Sequence, residues 1–471
     1  MCSYFYTRPI IGGMKIKVGI LDSLIETDNP DLLRALSDKW AFPINGYQYT
    51  PAYRRRGWDG KKRFISNQGK FKTGLLNDIL ENLKQIKCDP IIETEITSSR
   101  FLEGVVELGK QKLYDYQIDA CNKALSLNRC LLKSPTGSGK TLMIASLVNM
   151  FPDEKIVILF DERSILTQTY EYLTKKCWFE DIGICMGGEY KDGRVMLCTV
   201  QSIDKILDYY IDSTKVLIVD EVHKFSKGEV AVAAIQSFPN ALYRFGFTAT
   251  LPDDPIALYT LKGAFGPIVE TKSTKDLIED QKLAKPIIQI IEYVDELKPE
   301  DVDDSYASLY DKFIVNSGKR NKLIIDLCWK IYYTNNKNYR VCILVKNLEH
   351  LRILKEALPN AYSLEGVNSL QERKSSIKSF LNSDKPSFLI GTKVLQTGIN
   401  IEEITHLINA RGLKDKIPTL QGLGRGMRKM DGKSVVMVYD FMDKIPYLEA
   451  HSKARIKHYK KEGHSIDYIK L

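Results

Sequence analysis

An apolar run, Cys130–Leu132, gives way to SPTGSGKT at residues 134–141 and then to a helical pattern, Thr141–Met150. A buried strand, a glycine-rich turn and a helix start, in that order, belong to an α/β fold of parallel strands joined by helices. Gly137 and Gly139 let backbone N–H groups close around a phosphate, and the helix N-terminus adds a favourable dipole. Lys140 can reach the β- and γ-phosphates, and the Thr141 hydroxyl can ligate Mg²⁺. The phosphate-binding set is therefore Ser134, Pro135, Thr136, Gly137, Ser138, Gly139, Lys140 and Thr141. Position 134 departs from the usual pattern, which has glycine there.

The alternation of β-branched runs with amphipathic stretches continues through Ile156–Phe160, Val195–Thr199, Val216–Asp220 and Arg244–Thr248. A polar stretch, Glu270–Lys285, and Pro286 follow, then an acid-rich segment. The alternation restarts at Val341–Val345, Phe388–Gly391, His406–Asn409 and Val435–Tyr439. This predicts two α/β domains, 106–285 and 286–471, after a small α+β domain over 1–105. The chain has 471 residues, is 44% hydrophobic, and holds no apolar run near the ~18 residues of a spanning helix. Nine cysteines without a CxxC pair argue against a disulfide framework or a thiolate zinc site and for a reducing compartment. No signal peptide is visible at the N-terminus, so a cytoplasmic protein is expected.

Two further clusters carry chemistry. Asp220, Glu221, Val222 and His223 end an apolar strand, at the sheet edge where α/β proteins bind ligands. Asp220 suits a Mg²⁺ contact and Glu221 the polarisation of an attacking water. Residues 421–428 read QGLGRGMR. Arg425 and Arg428, three apart, share a helix face and are of the type that stabilises a transferring phosphoryl group. Alone, such a glycine-arginine cluster is more often a basic surface turn.

In this order and spacing the clusters resemble superfamily 2 helicases over roughly residues 110–440. Residues 134–141 match motif I, 220–223 motif II in its DExH form, 248–250 motif III and 421–428 motif VI. The resemblance implies two tandem RecA-like (P-loop NTPase) domains binding ATP and Mg²⁺, the metal at Thr141 and Asp220. It makes Glu221, Gln421, Arg425 and Arg428 catalytic, and gives His223, Thr248 and Thr250 the coupling of hydrolysis to movement. Gln117 lies in a segment that contacts adenine in the family, although Tyr114 stands where an arginine is common. Gly398 and Asn400, in a motif V-like segment, join the nucleotide set. Gln168 (motif Ia), Thr199, Gln201 and Ser202 (Ib), Asn347 (IV) and Thr397 (V) line the nucleic-acid track in the family.

Between Tyr53 and Lys72 eight basic residues face one acid, Asp59, with aromatic residues interleaved. Two readings fit: a DNA contact through phosphate neutralisation and base stacking, or a solvated hairpin with its rings turned inward. Ala52, Tyr53, Gly57–Lys61 and Gly74–Leu76 resemble the front domain of phage UvsW-type recombination helicases, which remodel branched DNA. That resemblance favours DNA contacts by Arg54, Arg55, Arg56, Trp58, Lys61, Lys62 and Arg63. It implies an ATP-dependent DNA helicase or translocase acting on forks or Holliday junctions, with no membrane partner. A DExH RNA helicase, a non-hydrolysing clamp, and the motor subunit of a restriction or repair complex are the alternatives.

Overall fold

The computed structural model describes residues 13–94, 96, 107–296, 305–334, 336, 338–365, 368, 370–392, 403–414 and 435–470. Thr397, Gly398, Asn400, Gln421, Arg425 and Arg428 lie outside these residues. The chain divides into two compact units, one reaching Thr271 and the other running from Lys272, with Pro135–Ser138 grouped in the second.

The first unit opens with strands β1 (Met14–Val18), β2 (Asp22–Thr27), β3 (Ala41–Pro43), β4 (Lys61–Arg63), β5 (Lys70–Lys72) and β6 (Ile91–Thr94). Four of them form a sheet in the order β5-β2-β1-β6, while β3 and β4 pair separately. The helix Pro30–Lys39 starts because Asn29 Oδ1 accepts from Leu32 N at 3.0 Å and Pro30 pre-sets its first turn. Ile16, Leu36, Phe71, Leu75 and Ile79 form the core beneath this sheet.

The rest of the unit carries β7 (Glu107–Leu108), β8 (Gln111–Lys112), β9 (Arg129–Lys133), β10 (Lys155–Phe160), β11 (Ile182–Met186), β12 (Glu189–Lys191), β13 (Val195–Thr199), β14 (Thr214–Val219), β15 (Tyr243–Thr248) and β16 (Ile268–Glu270). Eight of these form a sheet in the order β12-β11-β13-β10-β14-β15-β9-β16, parallel except at β12. Its strands are apolar along both faces because helices cover both, one cluster gathering Ile144, Ile158 and Phe247 and the other Leu159, Val219 and Phe265.

The helix Pro255–Phe265 joins these two parts of the first unit. Its Tyr259 packs against Trp40, Phe42 and Phe64 at 5.1, 5.1 and 5.7 Å between ring centres. Lys262 pairs with Asp78. A Cβ at Gly74 would stand 2.1 Å from the Lys262 carbonyl oxygen, so only glycine lets the two backbones meet.

The second unit holds β17 (Lys285–Tyr293), β18 (Arg340–Leu344), β19 (Tyr362–Leu364), β20 (Ser387–Gly391), β21 (His406–Asn409), β22 (Val435–Asp443) and β23 (Ile466–Lys470). They form a parallel sheet in the order β19-β20-β18-β21-β22-β17-β23. The polar stretch before Pro286 is structured, with a helix at Thr274–Glu279 capped by Ser273. Pro286 itself lies inside β17. It is tolerated because the β23 ladder begins only at Ile288, beyond the position that lacks an N–H.

Candidate nucleotide site and nucleic-acid contacts

Strand order brings three of the sequence clusters together. β14, β15 and β9 are neighbours, with Val219 opposite Gly246 and Thr248 opposite Lys133. Asp220, Thr248 and Ser134 therefore leave one sheet edge side by side. The Ser134 N–H donates to Thr248 O at 2.9 Å, tying the glycine-rich turn to the end of β15.

The left-handed conformation in this turn falls at Gly137 (φ 87°) and Gly139 (φ 79°), not at Ser134. A serine is therefore admissible at 134, where it is buried and its hydroxyl meets that of Thr271 at 3.0 Å. Lys140 opens the helix Lys140–Asn149 and donates to Ser134 O at 3.4 Å. Ser138 Oγ donates to Pro135 O at 2.7 Å. Gln117 is buried, accepts from Tyr114 N at 2.9 Å, and has its amide nitrogen 2.3 Å from where a Cβ at position 139 would sit. The side chain expected at adenine thus lies against the phosphate loop.

Asp220 is almost fully buried. Burial first, and then the neighbouring charge of Glu221, push its carboxyl up to about 6. Glu221 sits in the left-handed region (φ 49°), and its Oε2 is buried without a hydrogen-bond partner. His223 Nδ1 stands 2.9 Å from Thr248 Oγ1 and 3.4 Å from that Glu221 oxygen. The Thr248 hydroxyl donates to Thr250 O at 2.8 Å, so the proton between His223 and Thr248 comes from Nδ1. Burial holds the His223 imidazole below its usual pKa, which keeps it neutral and the tautomer fixed. Lys224, which no sequence motif singles out, bridges to Asp161 (2.9 Å) and Glu162 (2.6 Å) and anchors the motif II turn to the end of β10.

These residues fit a nucleotide phosphate with a divalent cation. The loop is opened by two positive-φ glycines, Asp220 is a carboxyl whose upward shift a cation would reverse, and Glu221 holds a buried oxygen ready for a donor.

The expected nucleic-acid contacts fall into two groups. Arg54, Arg55, Arg56 and Lys61 are exposed. With Gln48, Tyr53, Gly57, Trp58 and Asp59, Arg54 and Arg56 line an open basin of about 650 Å³. Gln168 and Gln201 are exposed too, Gln201 reaching Asp161 O at 3.3 Å. The second group is engaged by other groups of the protein. Lys62 is half-buried over the Phe64 ring and donates to Thr260 Oγ1 at 3.0 Å, while Arg63 pairs with Asp38 (3.0 Å) and Asp59 (2.7 Å). Thr199 and Ser202 are buried and meet each other at 3.1 Å. In the second unit Asn347 caps the helix Leu348–Ala357, accepting from His350 N at 3.1 Å.

Three domain families match the chain: the DNA helicase UvsW N-terminal domain over residues 16–91, the type III restriction enzyme res subunit over 110–253, and the helicase conserved C-terminal domain over 319–430. The matched domains are those of superfamily 2 helicases and support a nucleic-acid-dependent ATPase. Within that class the chain resembles UvsW. The ATP-dependent DNA helicase uvsW of Enterobacteria phage T4 is 26% identical over 440 residues, which is 87% of this chain and 86% of the relative. The putative mitochondrial ATP-dependent helicase irc3 of Schizosaccharomyces pombe is 26% identical over 364 residues, 72% of this chain and 59% of that protein. Among solved structures, a fragment of a putative HsdR subunit of a type I restriction enzyme from Vibrio vulnificus YJ016 shares the fold, with TM-score 0.57 and 18% identity over 76% of this chain and 68% of that one. Among the described residues no helix is long and apolar enough to cross a membrane.

Proposed function

We propose that this chain is an ATP-dependent DNA helicase or translocase that unwinds or branch-migrates forked and four-way DNA. The observation that carries the reading is the pairing of a UvsW-type front domain, matched over residues 16–91, with a motor whose motifs I, II and III leave one sheet edge. The 26% identity to a DNA helicase along 87% of the chain supports it.

In this reading the loop Ser134–Thr141 wraps the nucleotide phosphates and Lys140 turns from Ser134 O to the γ-phosphate. Thr141 and Asp220 would hold Mg²⁺, which would supply neutralisation of the phosphate charge. Glu221 orients the attacking water and takes its proton, using the oxygen that lacks a donor. The His223–Thr248–Thr250 chain links that carboxylate to the end of β15, so a change at the phosphate is felt at motif III. Arg425 and Arg428 supply positive charge to the γ-phosphate in the transition state. Arg54, Arg55, Arg56 and Lys61 meet DNA phosphates, making binding salt-sensitive and largely indifferent to sequence.

The test is the steady-state ATPase rate without polymer and with single-stranded, duplex, forked and four-way DNA and matched RNA, each beside Glu221→Gln. The reading expects the largest Glu221-dependent stimulation from forked or four-way DNA. Stimulation by RNA above every DNA would replace it with an RNA helicase.

A further inference from the structure

In the larger sheet of the first unit β10 stands between β13 and β14. All three strands run parallel, so the loops that follow them leave one sheet edge together. The loop after β13 carries Gln201, and the turn after β14 carries Glu221 and Lys224. Asp161 and Glu162, which leave β10, lie between the two, and both neighbours bond to them. From one side Gln201 Nε2 donates to Asp161 O at 3.3 Å. From the other, Lys224 Nζ meets Asp161 Oδ2 at 2.9 Å and Glu162 Oε1 at 2.6 Å. Glu162 also precedes the helix Arg163–Lys175, on which Gln168 is exposed.

An exposed lysine–carboxylate pair fixes little, because water competes for both charges. This bridge differs in two respects. One ammonium, on a side chain only 23% exposed, serves two adjacent carboxylates of a single loop. The turn that it closes is also strained: Glu221 holds φ 49°, a left-handed conformation that a non-glycine residue keeps only where its surroundings hold it. Within that turn Lys224 N donates to Glu221 O at 3.0 Å. His223, bonded to Thr248, braces Glu221 toward β15, and Lys224 braces it toward β10. Coupling between sites is carried by contiguous hydrogen bonds and ion pairs. Here such a chain runs from Gln201 through Asp161 and Lys224 to Glu221.

We propose that Lys224 is a positioning residue through which DNA at Gln168 and Gln201 sets Glu221 for hydrolysis. A nucleic-acid contact that shifts the Asp161–Glu162 loop draws the Lys224 ammonium with it, and the Glu221 carboxylate turns with the strained backbone that carries it. Lys224 lies outside every helicase motif read from the sequence. This role rests on the proposed function, which puts the attacking water at Glu221, and adds the means by which DNA regulates that site.

The test uses the full chain as wild type, Lys224→Met, Lys224→Arg, Gln201→Ala and Glu221→Gln. For each, ATP turnover is measured without polymer and with saturating forked DNA, together with KM for ATP, nucleotide-free DNA affinity and the thermal midpoint. Lys224→Met keeps the apolar stem and removes the charge. It is expected to cut the ratio of fork-stimulated to polymer-free kcat on the order of ten-fold, the change one charge-assisted hydrogen bond can carry, with KM and DNA affinity within about two-fold of wild type. Lys224→Arg, permanently charged and able to bond both carboxylates, should restore most of the ratio. Gln201→Ala should lower it in the same direction. Loss of both rates in equal proportion in Lys224→Met would show a structural brace alone and overturn the proposal, as would a wild-type ratio. Turnover insensitive to Glu221→Gln, or a wild-type protein that DNA does not stimulate, would overturn the proposed function as well. If Lys224→Met melts early, Glu162→Gln removes one carboxylate and leaves the lysine paired with Asp161. That variant is expected to lower the ratio more weakly, and a wild-type ratio there would equally overturn the proposal.

Discussion

Single residues in this chain change chemistry according to what surrounds them. His350 is fully buried, with Nε2 2.9 Å from Asn321 Oδ1; burial first, and then the Arg320 charge, press its imidazole down to about 3. A histidine whose folded pKa lies below its ordinary 6.5 contributes stability above pH 6.5 and loses it as pH falls toward 3. Between pH 7.5 and 5.5 the loss is about 1 kcal/mol for this site. His350→Gln is expected to melt lower at pH 7.5 but to lose less of its melting temperature than the wild type on going to pH 5.5. Equal acid sensitivity of the two proteins would exclude His350 as a source. The phosphate loop shows the complementary point. Ser134 departs from the sequence pattern, yet the left-handed conformation is needed only at Gly137 and Gly139. The pattern itself does not show which of its glycines carry the conformational demand.

At the scale of elements, the helix Pro255–Phe265 explains why part of the basic stretch is unavailable to a ligand. Lys62 is engaged by Thr260 of this helix, and Phe64 by Tyr259. Arg54, Arg55 and Arg56, on and just after the short helix Pro51–Arg54, remain exposed. Substituting all three by Gln should flatten the dependence of log K for DNA on log salt by up to about 2.7, roughly 0.9 for each phosphate no longer neutralised. Lys62→Gln should leave that slope unchanged. A slope change from Lys62→Gln equal to that of a single arginine would mean that the lysine leaves Thr260 to meet DNA. The same helix makes Gly74 irreplaceable. Gly74→Val places a side chain on the Lys262 carbonyl and is expected to destabilise by about 2–4 kcal/mol and to open the front domain to limited proteolysis. Neither point is legible in the sequence. Charge and aromatic count locate a basic segment, but which of its side chains face inward depends on a helix far along the chain.

Across the whole molecule, what the sequence makes legible is what the chain encodes locally. The strand, loop and helix of motif I, the acidic end of β14 and the alternation that builds two parallel sheets all occupy short windows with a period or a spacing. The buried ion pair Arg320–Asp443 has no such window. The two residues stand 123 apart in the sequence and meet only in the folded second unit. β17 is hidden for a related reason, since the tolerance of Pro286 depends on where β23 begins its pairing. This separation of local chemistry from long-range support yields the last prediction. Lys140 acts at the phosphate loop, bonded to Ser134 O, whereas the exposed arginines belong to the front domain. Lys140→Ala should therefore abolish fork-stimulated ATP turnover while leaving the affinity for forked DNA, measured without nucleotide, within about two-fold of wild type, inside the ~0.5 kcal/mol expected when distant sites do not interact. A parallel loss of both would show that the loop itself contacts DNA or holds the front domain in its binding state, and the assignment of separate sites would fall.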